Sequence, residues 1–294
     1  MKSDRIFGLS AALVTPFADD GSVDAARLVL HATKVLAEGC DSFTLFGTTG
    51  EGYGLSMKER EAILAAVAGT GLDMGDKVYA GVSAVSIDDA VSQSKLAIDA
   101  GARGLLFAPP FYLKGVEDEG LYAWFSRAIE RIGRVARGII LYHIPGQTSV
   151  PISVELVSRL KKAFPGVIIG VKDSSGRWED AQAFLREHGE LAVLVGDERL
   201  LARAVRAGAQ GSICGLANIA PGLLGPVIHE GKDSNKVIEL VDMICRLPVL
   251  PTVKALTAHV RKDAGYGRMR PPATDLDPAL ARKAAAEFDA IMAA

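Results

Sequence analysis

Val167-Ile168-Ile169-Gly170-Val171-Lys172-Asp173-Ser174-Ser175-Gly176 is a short apolar run that ends in a lysine and a turn. The stretch that follows, 178–188, is amphipathic at helical spacing and stops at Gly189. A strand followed by a helix is one βα repeat, and the same alternation extends outward in both directions. The strand candidates are 8–17, 42–47, 77–83, 104–109, 138–144, 167–172, 192–196 and 211–216. Each is short, apolar and bounded by Gly, Pro or polar residues. Helical stretches lie between them. The one at 23–38 ends at Gly39, and the one at 57–68 is opened by Ser56 with Glu59 placed as in a capping box. Those at 87–100 and 117–131 end at Gly101 and before Gly133, and Ser153 opens 154–164. After the stretch at 178–188 come 200–207 and a last one from Pro221 to Gly231.

Eight such repeats predict an α/β fold, a (β/α)8 TIM barrel with parallel strands and helical crossovers. A doubly wound open sheet is the competing arrangement, but no G-x-G-x-x-G turn follows the first strand. The alternation stops after Gly231, so the barrel is assigned to 1–231. The remainder, 232–294, is assigned to a C-terminal three-helix extension, with helices over 234–247, 251–263 and 277–293. No low-complexity linker separates the two, so the extension is expected to pack on the barrel.

The chain has 294 residues, of which 49% are hydrophobic and 23% charged, with a formal net charge of −2. This is the composition of a globular protein with a sizeable core. The absence of a basic block or basic-aromatic stripe argues against nucleic acid as a partner. The three cysteines, Cys40, Cys214 and Cys245, are odd in number, far apart and without a CxxC pair. That spacing suggests neither a zinc site nor a disulfide framework, and Cys214 in its apolar run is expected to be a core residue. Met1-Lys2-Ser3-Asp4-Arg5-Ile6 has no leader-like apolar region, and no stretch is long enough to span a bilayer. The expected setting is cytoplasmic.

Alternation in 167–172 places Val167, Ile169 and Val171 on one face, and Ile168, Gly170 and Lys172 on the other. Gly170 has no side chain and is expected to leave space beside the amine. A lysine among apolar walls loses the solvation that stabilises its ammonium form. The free amine is a nucleophile for a Schiff base with a carbonyl substrate. The same pattern also suits a lysine at a strand end with its ammonium in water. In a barrel of this kind the reactive residues lie at the C-terminal ends of strands. Those ends hold Gly47-Thr48-Thr49-Gly50-Glu51-Gly52, Pro109-Pro110-Phe111-Tyr112, Tyr142-His143-Ile144-Pro145-Gly146-Gln147, Lys172, Gly196-Asp197-Glu198 and Ile213. The glycine-rich turn 47–52 offers backbone N–H groups and two hydroxyls to an anion, or is simply a tight turn whose threonines bond their own backbone. The Tyr142 phenol has the chemistry to exchange protons with a group at the strand end, or it is a core aromatic with a satisfied hydroxyl. His143 and Asp173 alternate away from Tyr142 and Lys172. No HxH, HExxH or carboxylate cluster points to a metal. Amine, phenol and paired threonines at one rim are the equipment of an imine-forming enzyme acting on a 2-oxo acid.

On Gly47-Thr48-Thr49-Gly50-Glu51, Leu141-Tyr142-His143-Ile144-Pro145 and Gly170-Val171-Lys172-Asp173, the chain resembles the dihydrodipicolinate synthase / N-acetylneuraminate lyase family of class I aldolases. The resemblance runs over essentially the whole length. It implies that Lys172 forms the imine, that Tyr142 shuttles protons, and that Thr48 and Thr49 bind the substrate carboxylate and help the relay. It implies that Tyr112 crosses into the neighbouring subunit's site, and that Ile213 and Gly196 line the pyruvate pocket. It implies a homotetramer built from dimers and no cofactor beyond the covalent imine. The expected activity is that of a carbon–carbon lyase joining or releasing pyruvate, or a related 2-oxo acid, and an aldehyde. Aldol cleavage or dehydration of a 2-keto-3-deoxy sugar acid, by the same imine, is an alternative. A non-catalytic ligand-binding barrel is another.

Two positions depart from the family pattern. Gln147 stands where the lysine-pathway synthase has an arginine that holds the carboxylate of the aldehyde, and His143 where an asparagine is usual. Replacing a bidentate cation by a neutral amide costs about 1–3 kcal/mol of binding to a second carboxylate, although Arg177 is near in sequence. This disfavours the lysine-pathway reaction and favours a hydroxylated sugar-acid fragment or a less polar aldehyde.

Overall fold

A computed structural model describes residues 7–294 of the chain, so the leader-free reading of residues 1–6 lies outside the described residues. Eight parallel strands close into a barrel in chain order. They are β1 (Gly8–Ala12), β2 (Ser42–Leu45), β3 (Val78–Val82), β4 (Gly104–Phe107), β5 (Ile139–His143), β6 (Ile168–Asp173), β7 (Ala192–Val195) and β8 (Gly211–Cys214). β8 returns to β1 and pairs Ser10 with Ile213, which closes the ring. The first strand is shorter than the sequence reading of 8–17, because the chain leaves the sheet after Ala12.

The crossover helices start where the capping chemistry places them. Ser56 and Glu59 form the full capping box before Met57–Ala68, and the Ser153 hydroxyl accepts the Leu156 N–H at the head of Val154–Ala163. Each capped end satisfies donors that a helix otherwise leaves open. Two apolar layers result. One fills the space between strands and helices. The other fills the barrel interior with Phe7, Tyr79, Leu106, Ile140, Leu194 and Ile213, among others. The Phe7 and Tyr79 rings pack at 5.0 Å between centroids, tilted by 38°, and plug the end where the strands begin. The opposite end is left for a site.

Strict alternation fails in β6. Ile139 pairs with Ile168 but Ile140 pairs with Gly170, so Ile169 is an extra, unpaired residue. This bulge turns Ile169 toward the interior cluster, while Val171 stays in the outer layer. Ile169 and Val171 therefore do not share a face, contrary to the alternation reading. Lys172 keeps its inward direction because the bulge lies before it.

Three helices follow the last barrel helix, Pro221–Glu230: Asn235–Cys245, Val249–Arg261 and Pro278–Ala293. The second begins before Pro251, which falls in its first turn, where a proline is tolerated. Among the described residues, no helix is long and apolar enough to cross a membrane.

Candidate active site

β5 and β6 run side by side with Tyr142 directly opposite Lys172. Both side chains point into the open end of the barrel and both are buried, with Lys172 at 4% exposure. Lys172 Nζ donates to Tyr142 Oη at 3.2 Å. The same phenol oxygen lies 3.3 Å from Thr48 Oγ1, in a hydrogen bond whose donor is either hydroxyl. Amine, phenol and threonine thus form a continuous chain of exchangeable protons. Among the described residues no carboxylate pairs with the Lys172 amine.

The space around that amine comes from Gly196, not from Gly170. A Cβ on Gly170 would meet the Ala192 carbonyl oxygen at 2.6 Å, so that glycine serves the close approach of β7. A Cβ on Gly196 would sit 2.3 Å from Ser174 Oγ and 3.3 Å from Lys172 Cε. The bare backbone there leaves the lysine stem its path.

The turn after β2 is held from two sides. Phe46 and Glu51 both adopt left-handed backbone conformations, with φ of 60° and 52°, which non-glycine residues rarely do. Beneath the turn, the buried Arg60 guanidinium donates to the carbonyls of Gly81 at 2.9 Å and Gly52 at 2.6 Å. A Cβ on Gly52 would lie only 1.9 Å from the Phe46 carbonyl oxygen, so only glycine fits. Beyond the turn, the fully buried Lys254 donates to Glu51 Oε1 at 2.6 Å and to the Thr15 carbonyl at 2.9 Å. Burial lowers the pKa of Lys254, and Glu51 works against that shift. The Thr48 and Thr49 N–H groups find no acceptor among the described residues, so they are available to a ligand anion.

These groups line one cavity of about 390 Å³ that includes Thr48, Thr49, Tyr142, Gln147, Lys172, Gly196 and Ile213. Seven of the eight site residues read from sequence therefore meet in one place. Tyr112 does not join them: it is 76% exposed on the segment after β4 and is not among the residues that line the cavity of its own chain. Arg177 is absent from the lining as well, and its guanidinium lies 3.7 Å from Asp180. Sequence reading missed the outer wall, which comes from the helical extension through Val241, Ile244, Val249, Leu250 and Val253. It also missed the cation there. Arg199 donates to Asp197 at 2.9 and 2.7 Å and to Asp242 at 2.9 Å. These carboxylates, Asp197 foremost, raise the pKa of Arg199 and keep it charged.

His143 faces outward, as alternation predicts. Its Nδ1 accepts the Ile152 N–H at 3.0 Å, which puts the ring proton on Nε2. Nε2 lies 3.7 Å from Asp180 and 3.9 Å from Asp173, with no hydrogen-bond partner among the described residues. Burial pushes the pKa of His143 down and that of Asp173 up. Cys214 is buried in β8 with its thiol pushed well up by burial, in keeping with a core role. Among the described residues no group of three or more His, Cys, Asp or Glu could hold a metal ion.

The family model of the dihydrodipicolinate synthetase family matches residues 5–289. The chain belongs to that family. It is similar to a solved dihydrodipicolinate synthase from Agrobacterium tumefaciens, with 47% identity, a TM-score of 0.95 and coverage of 97% of this chain and 99% of that one. It is 32% identical to an uncharacterized DapA-like lyase of Chloroflexus aurantiacus, over 87% of this chain and 89% of the relative. It is also 32% identical to a 4-hydroxy-tetrahydrodipicolinate synthase of Salinibacter ruber, over 80% of this chain and 76% of the relative. Members of the dihydrodipicolinate synthetase family are lyases of the class I aldolase type, and this chain is such an enzyme. Its substrates are small molecules.

Proposed function

We propose that Lys172 forms an imine with pyruvate or a related 2-oxo acid, and that the chain makes or breaks a carbon–carbon bond through the resulting enamine. The observation that carries this is the hydrogen-bonded series from Lys172 Nζ through Tyr142 Oη to Thr48 Oγ1, at 3.2 and 3.3 Å. The unprotonated amine attacks the C2 ketone. Tyr142 carries a proton to the departing hydroxyl as the carbinolamine loses water and becomes an iminium. Loss of a C3 proton gives the enamine, whose C3 attacks the aldehyde carbon while the aldehyde oxygen takes up a proton. Water then hydrolyses the imine and frees the amine. In the other direction the C3–C4 bond of a 4-hydroxy-2-oxo acid breaks and the aldehyde leaves.

Thr48 and Thr49 hold the substrate carboxylate through hydroxyls and unpaired N–H groups, which fixes the ketone at reacting distance from the amine. Ile213 supplies an apolar floor, and Gly196 keeps the lysine's approach clear. Tyr112, exposed on its own chain, completes the relay of a neighbouring subunit. In this reading the enzyme works in the cytoplasm as a homo-oligomer, dimer or tetramer, and needs no cofactor because the iminium is itself the electron sink. The test is proton exchange at pyruvate C3 in D2O, followed by NMR. Exchange catalysed by the wild type and lost in Lys172→Ala supports the scheme. Equal exchange by both proteins refutes it.

A further inference from the structure

We infer that the second subsite takes an aldehyde with an uncharged hydrocarbon substituent, so that the enzyme forms or cleaves 4-hydroxy-2-oxo acids carrying an apolar group on C4. The inference rests on the imine reading and names the substrate class of that same cavity.

The outer cavity wall is aliphatic, built from Val241, Ile244, Val249, Leu250 and Val253. Val249 is 47% exposed, an aliphatic side chain at the cavity mouth that a bound hydrocarbon would cover. Among the described residues, no free cation lines this cavity. The Lys172 amine is consumed by the imine. The Arg199 guanidinium is shared between Asp197 and Asp242, both within 2.9 Å. Gln147 is a neutral amide, and Arg177 does not line the cavity. A substrate carboxylate placed here would lose its hydration and gain no charged partner, which is costly. The remaining acid, Glu198, is buried, accepts the Leu216 N–H at 3.0 Å, and is pushed toward its neutral form by burial. Ser174 and Ser175, on the segment that follows Lys172, supply hydroxyls to the cavity lining. That suits one new hydroxyl at C4 more than a chain of hydroxyls running along the aliphatic wall.

The experiment measures pyruvate consumption by the full chain with isovaleraldehyde, D-glyceraldehyde and succinic semialdehyde, after borohydride trapping has shown whether pyruvate adds to Lys172. The expected result is a pyruvate adduct, and a kcat/KM for isovaleraldehyde at least tenfold above that of either polar aldehyde. The double variant Val249→Ser/Leu250→Ser should then raise the KM for isovaleraldehyde about tenfold and leave the KM for D-glyceraldehyde within twofold. An adduct together with a preference for either polar aldehyde, turnover of none of the three, or no change in the double variant overturns the subsite while leaving the imine reading intact. Absence of the adduct overturns both.

Discussion

Lys172 and Tyr142 meet because they are register partners on neighbouring strands, and their side chains close the 30-residue gap in sequence to a 3.2 Å hydrogen bond. The contact depends on backbone pairing and not on a flexible loop, so it is present before any substrate arrives. The bulge at Ile169 lies before this pair, and β5 and β6 stay in regular register from Ile140–Gly170 to His143–Asp173.

Removing the phenol oxygen should separate folding from turnover. Tyr142→Phe keeps the ring in the barrel interior, where it packs with Ile140 and Ile144. It deletes the link between Lys172 and Thr48, so turnover is expected to fall about 10²–10⁴-fold, the usual range for a positioned proton carrier. Unfolding curves should be close to those of the wild type. A near-normal rate would remove the proton-carrying role.

The second buried lysine makes a prediction about the turn that carries the threonines. Lys254→Met leaves the Glu51 carboxylate buried, with the Arg270 N–H at 3.0 Å as its one remaining partner among the described residues. Breaking a buried pair in this way costs about 3–5 kcal/mol. Urea unfolding should show that loss, and the KM for pyruvate should rise because turn 47–52 loosens. Adding Glu51→Gln removes the stranded charge and should recover part of the stability. A single variant as stable as the wild type would contradict this role.

Stability should fall on mild acidification because of His31. In the folded chain its Nε2–H donates to Asn218 Oδ1 at 3.0 Å, and its Nδ1 accepts the Arg261 Nε–H at 3.1 Å. Both nitrogens are satisfied by the neutral ring. Burial depresses the pKa from 6.5 to about 4. Between those values the unfolded chain binds more protons than the folded one, so stability is lost as pH falls through this window. The loss expected from this group between pH 7.5 and pH 5 is about 2 kcal/mol. His143, also depressed by burial, acts in the same direction, so the comparison is with His31→Gln. That variant should show a smaller loss by urea unfolding at the two pH values. An identical pH dependence would exclude His31 as the source.

Much of the fold was legible because short apolar strands and capped amphipathic helices are local signals. Ser56 with Glu59, and Ser153, mark helix starts in the sequence and in the structure alike. The site residues were legible because a barrel gathers strand ends, so Thr48, Tyr142, Lys172 and Ile213 converge once the strands are counted. What escaped depends on partners distant in sequence. The Ile169 bulge is set by pairing with β5, and the role of Gly170 by the backbone of β7. The aliphatic wall and the Lys254–Glu51 pair join the helical extension to the barrel rim across some 200 residues. Cys214 and Lys254 sit in similar apolar runs, and only the packed structure shows the second to be held by a carboxylate.

The central claim is that the Lys172 amine bonds covalently to a 2-oxo acid. Incubation with pyruvate and borohydride, followed by peptide mass spectrometry, tests it most directly. A reduced three-carbon adduct on the peptide containing Lys172, absent from Lys172→Ala, is the predicted result. A protein left unmodified, or an adduct of equal yield in Lys172→Ala, would contradict it.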